Sequence, residues 1–383
     1  MKIVMVTQMD IFGELNYGGV IEARRHYNLL TKILGPDSVY TVIISNNCKR
    51  KQAQDNRNYV WQKRSQWSVV YNCLCLRVEM GKRIEEEVAE YINSLDIDAV
   101  FFEASFWWGV EKRLKPEIRT ILFMHNIEKN YAWNRVIHKS VLTLPRFFAC
   151  WYNETRMIRY SDQILCLNER DRMLIRKIYH RGVDLVLPIS FEDHFPGEID
   201  VDVPKNGKNL LFVGSNFPPN YQGIVWFVKN VMPKVNGILS IVGKGMEKCR
   251  EELECENVRV VGTVDNTAQF YEQADVVVMP IFWGDGMKVK TAEAMMYGKT
   301  IIATKEALEG YETEGVEGIF ECSTKEDFVT TINKVLQDPQ FRGVNLSVRK
   351  LFIEKYDTAV CAQRFRKFIL EEKERCDYNK DKA

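Results

Sequence analysis

The sequence has almost no net charge: 53 Lys and Arg stand against 52 Asp and Glu, leaving a formal +1. No global field draws such a chain to nucleic acid or to an acidic surface, so any attraction of that kind must be local. The 10 cysteines make no C-x-x-C pair and no zinc-like set with the five histidines. Scattered through apolar stretches, as at Cys73, Cys75 and Cys166, they read as reduced thiols, which excludes a disulfide scaffold and fits a cytosolic protein. Apolar runs approaching ~20 residues are missing, so no transmembrane span is expected. The opening Met1-Lys2-Ile3-Val4-Met5-Val6-Thr7 reads as a strand and not as a signal peptide. Tandem repeats and low-complexity tracts are absent. So is a D-x-D flanked by strands of the kind that holds a metal-bound diphosphate; Asp96-Ile97-Asp98 precedes a strand and reads as a charged turn.

What is present is ample for a packed core: 383 residues, 46% hydrophobic and 27% charged, more than one domain usually holds. Apolar runs bounded by turn residues alternate with amphipathic stretches. The first series is strand 3–7, helix 20–34, strands 39–45 and 69–76, helix 82–95, strands 99–102 and 120–124, two helical segments within 128–160, strand 163–167, helix 170–179 and strand 183–187. Residues 189–207 lose this periodicity and gather Pro196, Gly197, Pro204, Asn206 and Gly207, which reads as a linker. A second series follows: strand 209–213, helix 221–231, strand 238–242, helix 246–253, strand 258–261, helix 267–272, strand 276–279, a helix, and strand 300–303. Strand and helix taking turns predicts an α/β fold of two parallel sheets wrapped by helices, with a cleft between them and ligand groups at the carboxyl ends of strands. Apolar residues at helical spacing within 341–372 predict further helix, and the polar end from Glu371 reads as a solvated, frayed tail.

The most informative stretch runs from Ile281 to Gly298, IFWGDGMKVKTAEAMMYG. It follows a buried-strand pattern and brackets Asp285 with glycines just before a helix expected to open near Gly286 and Met287. The first free N–H groups of that helix face the loop, where Lys288 and Lys290 add positive charge, so the segment reads as an anion site. Glu293, eight residues after Asp285 and about two turns into the expected helix, is placed to accept hydrogen bonds from sugar or ribose hydroxyls. A phosphorylated sugar or nucleotide is the ligand this pattern suits.

The constellation resembles the donor site of retaining glycosyltransferases, most closely glycosyltransferase family 4 with its E-x7-E motif. Asp285 stands where the family has its first Glu, one methylene shorter, and Glu293 matches the second. The resemblance implies a GT-B architecture, two Rossmann-like domains facing across a cleft. An acceptor-binding domain would occupy 1–188, the linker 189–207, and a nucleotide-sugar-binding domain 208–355. A C-terminal helix in 356–383 would cross back to the first domain. It also implies that Glu293 binds the ribose, that Asp285 lies near donor-sugar hydroxyls and that the intervening loop holds the diphosphate.

Other segments fall on the family's pattern. Gly18 and Gly19, between the first strand and helix, permit close backbone approach or make a simple turn; their place matches the glycine loop under the donor sugar and phosphate. His125 ends a strand and should project from its carboxyl edge; in His125-Asn126-Ile127-Glu128 it is similar to the family's sugar-contacting histidine. His26, His138, His180 and His194 read as structural or solvated. Gly214, in Phe212-Val213-Gly214-Ser215, resembles the opening of the nucleotide-binding half, but the Arg and Lys that usually follow this glycine are missing. No basic residue lies between Phe212 and Lys229. The neutralising charge must then come from Lys288, Lys290 or, in Gly243-Lys244-Gly245, Lys244, each of which alternatively is an exposed helix-face charge. Val261-Gly262-Thr263-Val264 is similar to the segment that packs near the base.

Two features bear on the acceptor. Lys49, Arg50, Lys51, Arg57, Lys63 and Arg64 stand against one acid, Asp55, with Trp61 and Trp67 nearby; the patch suits anionic lipid phosphates, a charged acceptor, or solvent alone. Trp107 and Trp108 follow a strand at its carboxyl end and either stack on acceptor sugar or pack under a loop. The resemblance thus implies a retaining, metal-independent transfer of a hexose-type sugar from a nucleoside-diphosphate-sugar to a hydroxyl of a glycan, lipid-linked sugar or small acceptor. No cofactor beyond the donor is implied. A cytoplasmic location is expected, with peripheral contact at the inner face of the membrane through the basic patch. A nucleotide-sugar epimerase of the same fold and a catalytically inert nucleotide-sugar-binding partner are the alternatives.

Overall fold

The computed structural model describes residues 1–13, 18–45, 57–61, 66–78, 80–138, 140–197, 208–284 and 286–380. The chain divides into two compact units, the first made of Met1–Pro188 with Ala362–Ala383 and the second of Ile189–Cys361.

The first unit is built on seven strands: β1 (Ile3–Thr7), β2 (Val39–Ser45), β3 (Arg57–Trp61), β4 (Ala99–Glu103), β5 (Arg119–Met124), β6 (Gln163–Cys166) and β7 (Leu185–Val186). They lie in the order β3-β2-β1-β4-β5-β6-β7, every pair parallel. β1 and β4 are buried at every position, which is why they read as unbroken apolar runs: a parallel sheet is covered by helices on both faces. Helix Lys82–Ser94 shows the complementary pattern, turning Glu85, Val88, Ala89 and Ile92 inward at spacings of three and four.

The second unit carries β8 (Asn209–Val213), β9 (Ile238–Val242), β10 (Val258–Gly262), β11 (Val276–Met279), β12 (Thr300–Ala303) and β13 (Ile319–Glu321), in the order β10-β9-β8-β11-β12-β13, again all parallel. Each order doubles back beside the strand that opens its unit, and in such sheets the loops at the carboxyl ends form the natural ligand edge. Helix Lys325–Gln337 is opened by a capping box, Thr324 and Asp327 each satisfying the other's backbone N–H.

Three expectations need correction. Residues 69–76, expected as a strand, belong mostly to helix Gln66–Leu74. The β-branched, aromatic run VVYNCLCL suggested a strand, but Trp67, Val70, Tyr71 and Leu74 recur at helical spacing and that stripe faces solvent. Residues 189–197 are not a free linker. Phe191 bridges to Asp357, its N–H donating to the Tyr356 carbonyl at 2.9 Å, and Asp193 pairs with Arg349; residues 198–207 lie outside the described residues. The C-terminal stretch is interrupted and then continues further than expected. Helix Leu346–Leu351 passes through a π-turn at Phe352–Tyr356, breaks at Asp357, and resumes as Thr358–Lys380. The supposed frayed tail is held because Glu372, only 1% exposed, takes two donors from Arg119, Nε at 3.0 Å and a terminal nitrogen at 2.9 Å, and a third from Arg375. A polar residue looked solvated in sequence because its partner lies 253 positions away.

Candidate functional site

In the second unit, the loops leaving β8, β9 and β10 are locked together at the carboxyl edge of the sheet. The Gly214 N–H donates to the Val242 carbonyl at 2.8 Å, Asn216 N–H to the Lys244 carbonyl at 2.8 Å, and Gly245 N–H to Thr263 Oγ1 at 3.2 Å. The glycines are needed for contact as well as for conformation. A Cβ at Gly243 would lie 2.1 Å from the Gly214 carbonyl oxygen, and Gly245 sits at φ 82°, in the left-handed region. Gly243→Ala is expected to cost about 1–3 kcal/mol through overpacking, read by thermal unfolding.

Strand β11 leads into the loop 280–288, which is tied from three sides. Thr304 Oγ1 donates to the Ile281 carbonyl, Tyr311 OH to the Lys288 carbonyl at 2.7 Å, and Lys288 Nζ to the Gly286 carbonyl at 2.8 Å. The helix after it is Val289–Met296, with Lys288 as an extended N-cap. It therefore opens later than Gly286 or Met287: Gly286, at φ 69°, lies outside right-handed helical space, and Met287 is buried in the loop. Asp285 lies outside the described residues.

The two lysines part company here. Lys288 Nζ is 2.6 Å from Glu306 and 3.9 Å from Glu309, so its charge is neutralised within the loop and it acts as an anchor. Lys290, on the first turn of the helix, reaches back to the β8 loop. Its Nζ donates to Asn220 Oδ1, lies 5.2 Å from the centre of the Phe212 ring, and fills the space above Gly214, where a Cβ would come within 3.0 Å of it. Burial, reinforced by Lys288, lowers its pKa to about 8. The basic residue missing after Gly214 in sequence is thus supplied from 76 positions later in the chain. Lys244 is exposed, as a plain surface charge would be.

Glu293 is one turn into the helix, not two, because the helix opens at Val289. It is half-buried, and its Oε2 accepts from Tyr271 OH at 3.1 Å; Tyr271 itself is buried and stacked on Tyr297 at 5.0 Å between ring centroids. Burial raises the Glu293 pKa, while Tyr271 and Lys290 oppose the shift.

In the first unit, helix Gly18–Leu34 begins at Gly18, so Gly18 and Gly19 form its first turn and carry N–H groups without intrahelical acceptors. Tyr17 lies outside the described residues. His125 follows β5, and its side chain, 15% exposed, is held by Glu103 at the end of the neighbouring β4: Nε2 to Oε2 is 2.5 Å. The other Glu103 oxygen meets His26 Nδ1 at 2.7 Å, and His26 Nε2 lies 3.4 Å from Glu22, which also pairs with Arg25 at 2.6 Å. Burial works to raise the pKa of Glu103, yet the two imidazoles outweigh it and hold the carboxyl at about 2. For His125, burial works against the charged form and Glu103 overcomes it, so the imidazole titrates above its ordinary value.

Trp107 is not a sugar platform. It is fully buried, its Nε1 donates to the Glu103 carbonyl at 3.1 Å, and it belongs to the core beneath β4. Trp108 is half-buried and stacks on Tyr160 at 5.1 Å. Most of the 49–64 basic patch lies outside the described residues.

The geometry of the second unit coincides with a family match. Residues 207–338 match the family model described as glycosyl transferases group 1. Those residues form a glycosyl transferases group 1 domain. The chain is also similar to the lipopolysaccharide 1,2-N-acetylglucosaminetransferase of Salmonella typhimurium, 27% identical over 104 residues, which are 26% of this chain and 27% of that relative. The match therefore spans about a quarter of the length of the curated relative. Among solved structures, sucrose-phosphate synthase from Thermosynechococcus elongatus superposes with a TM-score of 0.68 at 14% identity, covering 97% of this chain and 99% of the other. The lipopolysaccharide outer core galactosyltransferase WaaB gives 0.67 at 15%, covering 97% and 100%. Anabaena HepE in complex with UDP gives 0.65 at 14%, also covering 97% and 100%. These likenesses show the GT-B fold.

Within the group 1 domain, sequence reasoning singled out Gly214, Lys288, Lys290 and Glu293 but gave no role to Asn220, Tyr271 or Glu306. In the first unit it passed over Glu103 and treated His26 as structural. The available signal was Glu103, an acid directly after the apolar strand 99–102, one strand over from His125.

Proposed function

We propose that the protein is a retaining, metal-independent glycosyltransferase that moves a hexose-type sugar from a nucleoside diphosphate to a hydroxyl of a glycan, lipid-linked sugar or small acceptor. The observation that carries this reading is the half-buried Lys290 ammonium, drawn over Gly214 and held by the neutral side chain of Asn220, at the ligand edge of a group 1 domain. Such a group stabilises the charge that gathers on a departing diphosphate. Glu293, aligned by Tyr271, accepts from the ribose hydroxyls. His125, whose charged form Glu103 favours, donates to the donor sugar. Transfer breaks the bond from the anomeric carbon to the diphosphate oxygen and forms one to the acceptor oxygen on the same face, the acceptor proton passing to the diphosphate. Orientation and charge stabilisation then supply the catalysis.

UDP-sugars are the first donors to try, since the HepE complexes contain UDP and UDP-glucose. The test is incubation with UDP-, GDP- and ADP-sugars, with and without sugar acceptors, in buffer containing a chelator, following nucleotide release and the anomeric configuration of the product. Acceptor-dependent release with the donor's configuration kept is expected. Isomerised donor without free nucleotide would make the protein an epimerase, and binding without chemistry an inert partner.

A further inference from the structure

Three helices of the first unit expose apolar residues at helical spacing. Helix Gln66–Leu74 presents Trp67, Val70, Tyr71 and Leu74, with Trp67 84% and Tyr71 66% exposed. Helix Leu144–Tyr160 presents Leu144, Phe148 and Trp151, and helix Glu128–His138 presents Trp133 and Ile137. Ordinarily such stripes turn toward a core.

The stripes lie on neighbouring helices. Helix Leu144–Tyr160 packs against both others. The Phe147 ring bridges Trp133 at 5.1 Å and Trp151 at 5.9 Å, and a surface groove is lined jointly by Leu76, Phe148, Trp151, Tyr152, Arg156 and Arg159. Leu76 is held in the left-handed region, at φ 58°, by a hydrogen bond from Asn153 Nδ2 to its carbonyl at 2.8 Å, although its side chain is partly exposed. A leucine pays strain for that conformation. An exposed apolar face of this kind marks an interaction surface.

Charge identifies the occupant. The chain as a whole is balanced, yet helix Gln66–Leu74 contains no acid, and the only acids of the other two helices, Glu128 and Glu154, are buried. Lys129, Arg135, Arg146, Arg156 and Arg159 lie on those two helices. Several cations rest on the aromatics: Lys129 Nζ is 5.1 Å from the Trp151 ring centre, and the Arg156 guanidinium 5.3 Å from that of Tyr152. A second copy docked through the same face would set cations against cations. Tryptophan, tyrosine and arginine interleaved on one surface suit the headgroup region of a bilayer, where rings sit among acyl chains and cations meet phosphates. Among the described residues no helix is long and apolar enough to cross a membrane, so contact here would be with the surface.

We propose that this face docks onto the surface of an anionic lipid bilayer. The inference stands apart from sugar transfer, because partitioning onto vesicles is read without turnover. The test is flotation of the full chain with vesicles of phosphatidylcholine alone or mixed with phosphatidylglycerol. Flotation with the mixed vesicles and not with phosphatidylcholine is expected. Trp67→Ser/Tyr71→Ser/Trp151→Ser should reduce it by about tenfold or more through lost apolar insertion, and Arg156→Gln/Arg159→Gln by about tenfold through lost attraction to phosphate. Leu346→Ser, an equally exposed apolar site on the second unit, should leave flotation unchanged. Circular dichroism confirms that each variant is folded, and Trp67→Ser alone serves if the triple variant is not. No flotation, flotation indifferent to phosphatidylglycerol, or equal loss with Leu346→Ser would overturn the proposal. So would concentration-dependent self-association, lost in the triple variant, in a protein that leaves vesicles untouched; that result would assign the face to a second copy.

Discussion

Lys290→Ala is expected to lower kcat/KM by about 10²–10³-fold, the effect of removing one preorganised donor at a developing anion, and to weaken UDP binding measured by calorimetry. Lys288→Ala should act less directly. Its ammonium already answers Glu306 and Glu309, so its removal loosens the loop 280–288 and leaves the cation over Gly214 in place. Equal kinetics for Lys290→Ala and the native protein would remove that lysine from the proposed diphosphate site.

A pH signature separates this role from a structural one. Burial and the nearby Lys288 hold Lys290 at about 8 in the free protein, so the cation is present below that pH and lost above it. A bound diphosphate favours the charged form and raises the pKa. Affinity for UDP should therefore be flat from about pH 7, where the terminal phosphate is already ionised, to pH 8 and fall by about tenfold per unit above it, with a proton taken up on binding. Calorimetry in buffers of different ionisation enthalpy reads that proton. Affinity independent of pH through this range would contradict the assignment.

Glu103→Gln is expected to destabilise the first unit by about 3–5 kcal/mol, because it leaves the buried His26 and the half-buried His125 without their shared anion. The linkage has a definite window. The Glu103 carboxyl is depressed from 4.5 to about 2, so its contribution is complete above 4.5 and is lost as pH falls toward 2. The His125 imidazole is raised above 6.5, so its contribution is complete below 6.5 and is lost as pH rises through the higher folded value. The gap in urea stability between the native protein and Glu103→Gln should therefore be widest between pH 4.5 and 6.5 and narrow on both sides. A gap unchanged from pH 5 to 9 would mean that His125 is not charged by Glu103.

The inner strands of the second sheet were legible because their side chains are buried whichever face they meet. The apolar runs at 209–213, 238–242, 276–279 and 300–303 end where β8, β9, β11 and β12 end. The candidate site was legible as a segment, since glycines, lysines and an acid around a helix start are local signals. Less legible were features whose meaning depends on a neighbour distant in the chain. The weakly apolar edge strands β3 and β13 gain their order from β2 and β12 and were not anticipated. Glu372 looked like part of a solvated tail until Arg119 was found beside it.

By itself, the sequence determined the alternating α/β plan and a short list of candidate charged residues at one sheet edge, because periodicity and turn chemistry act over a few residues. Tertiary structure decided which of those residues carry usable charge. Lys288 and Lys290 are two positions apart, yet one is cancelled by Glu306 and the other stands over Gly214; His26 and His125 share one carboxylate across two strands and a helix. Coulomb energy follows distance and burial through space, and neither quantity is written along the chain.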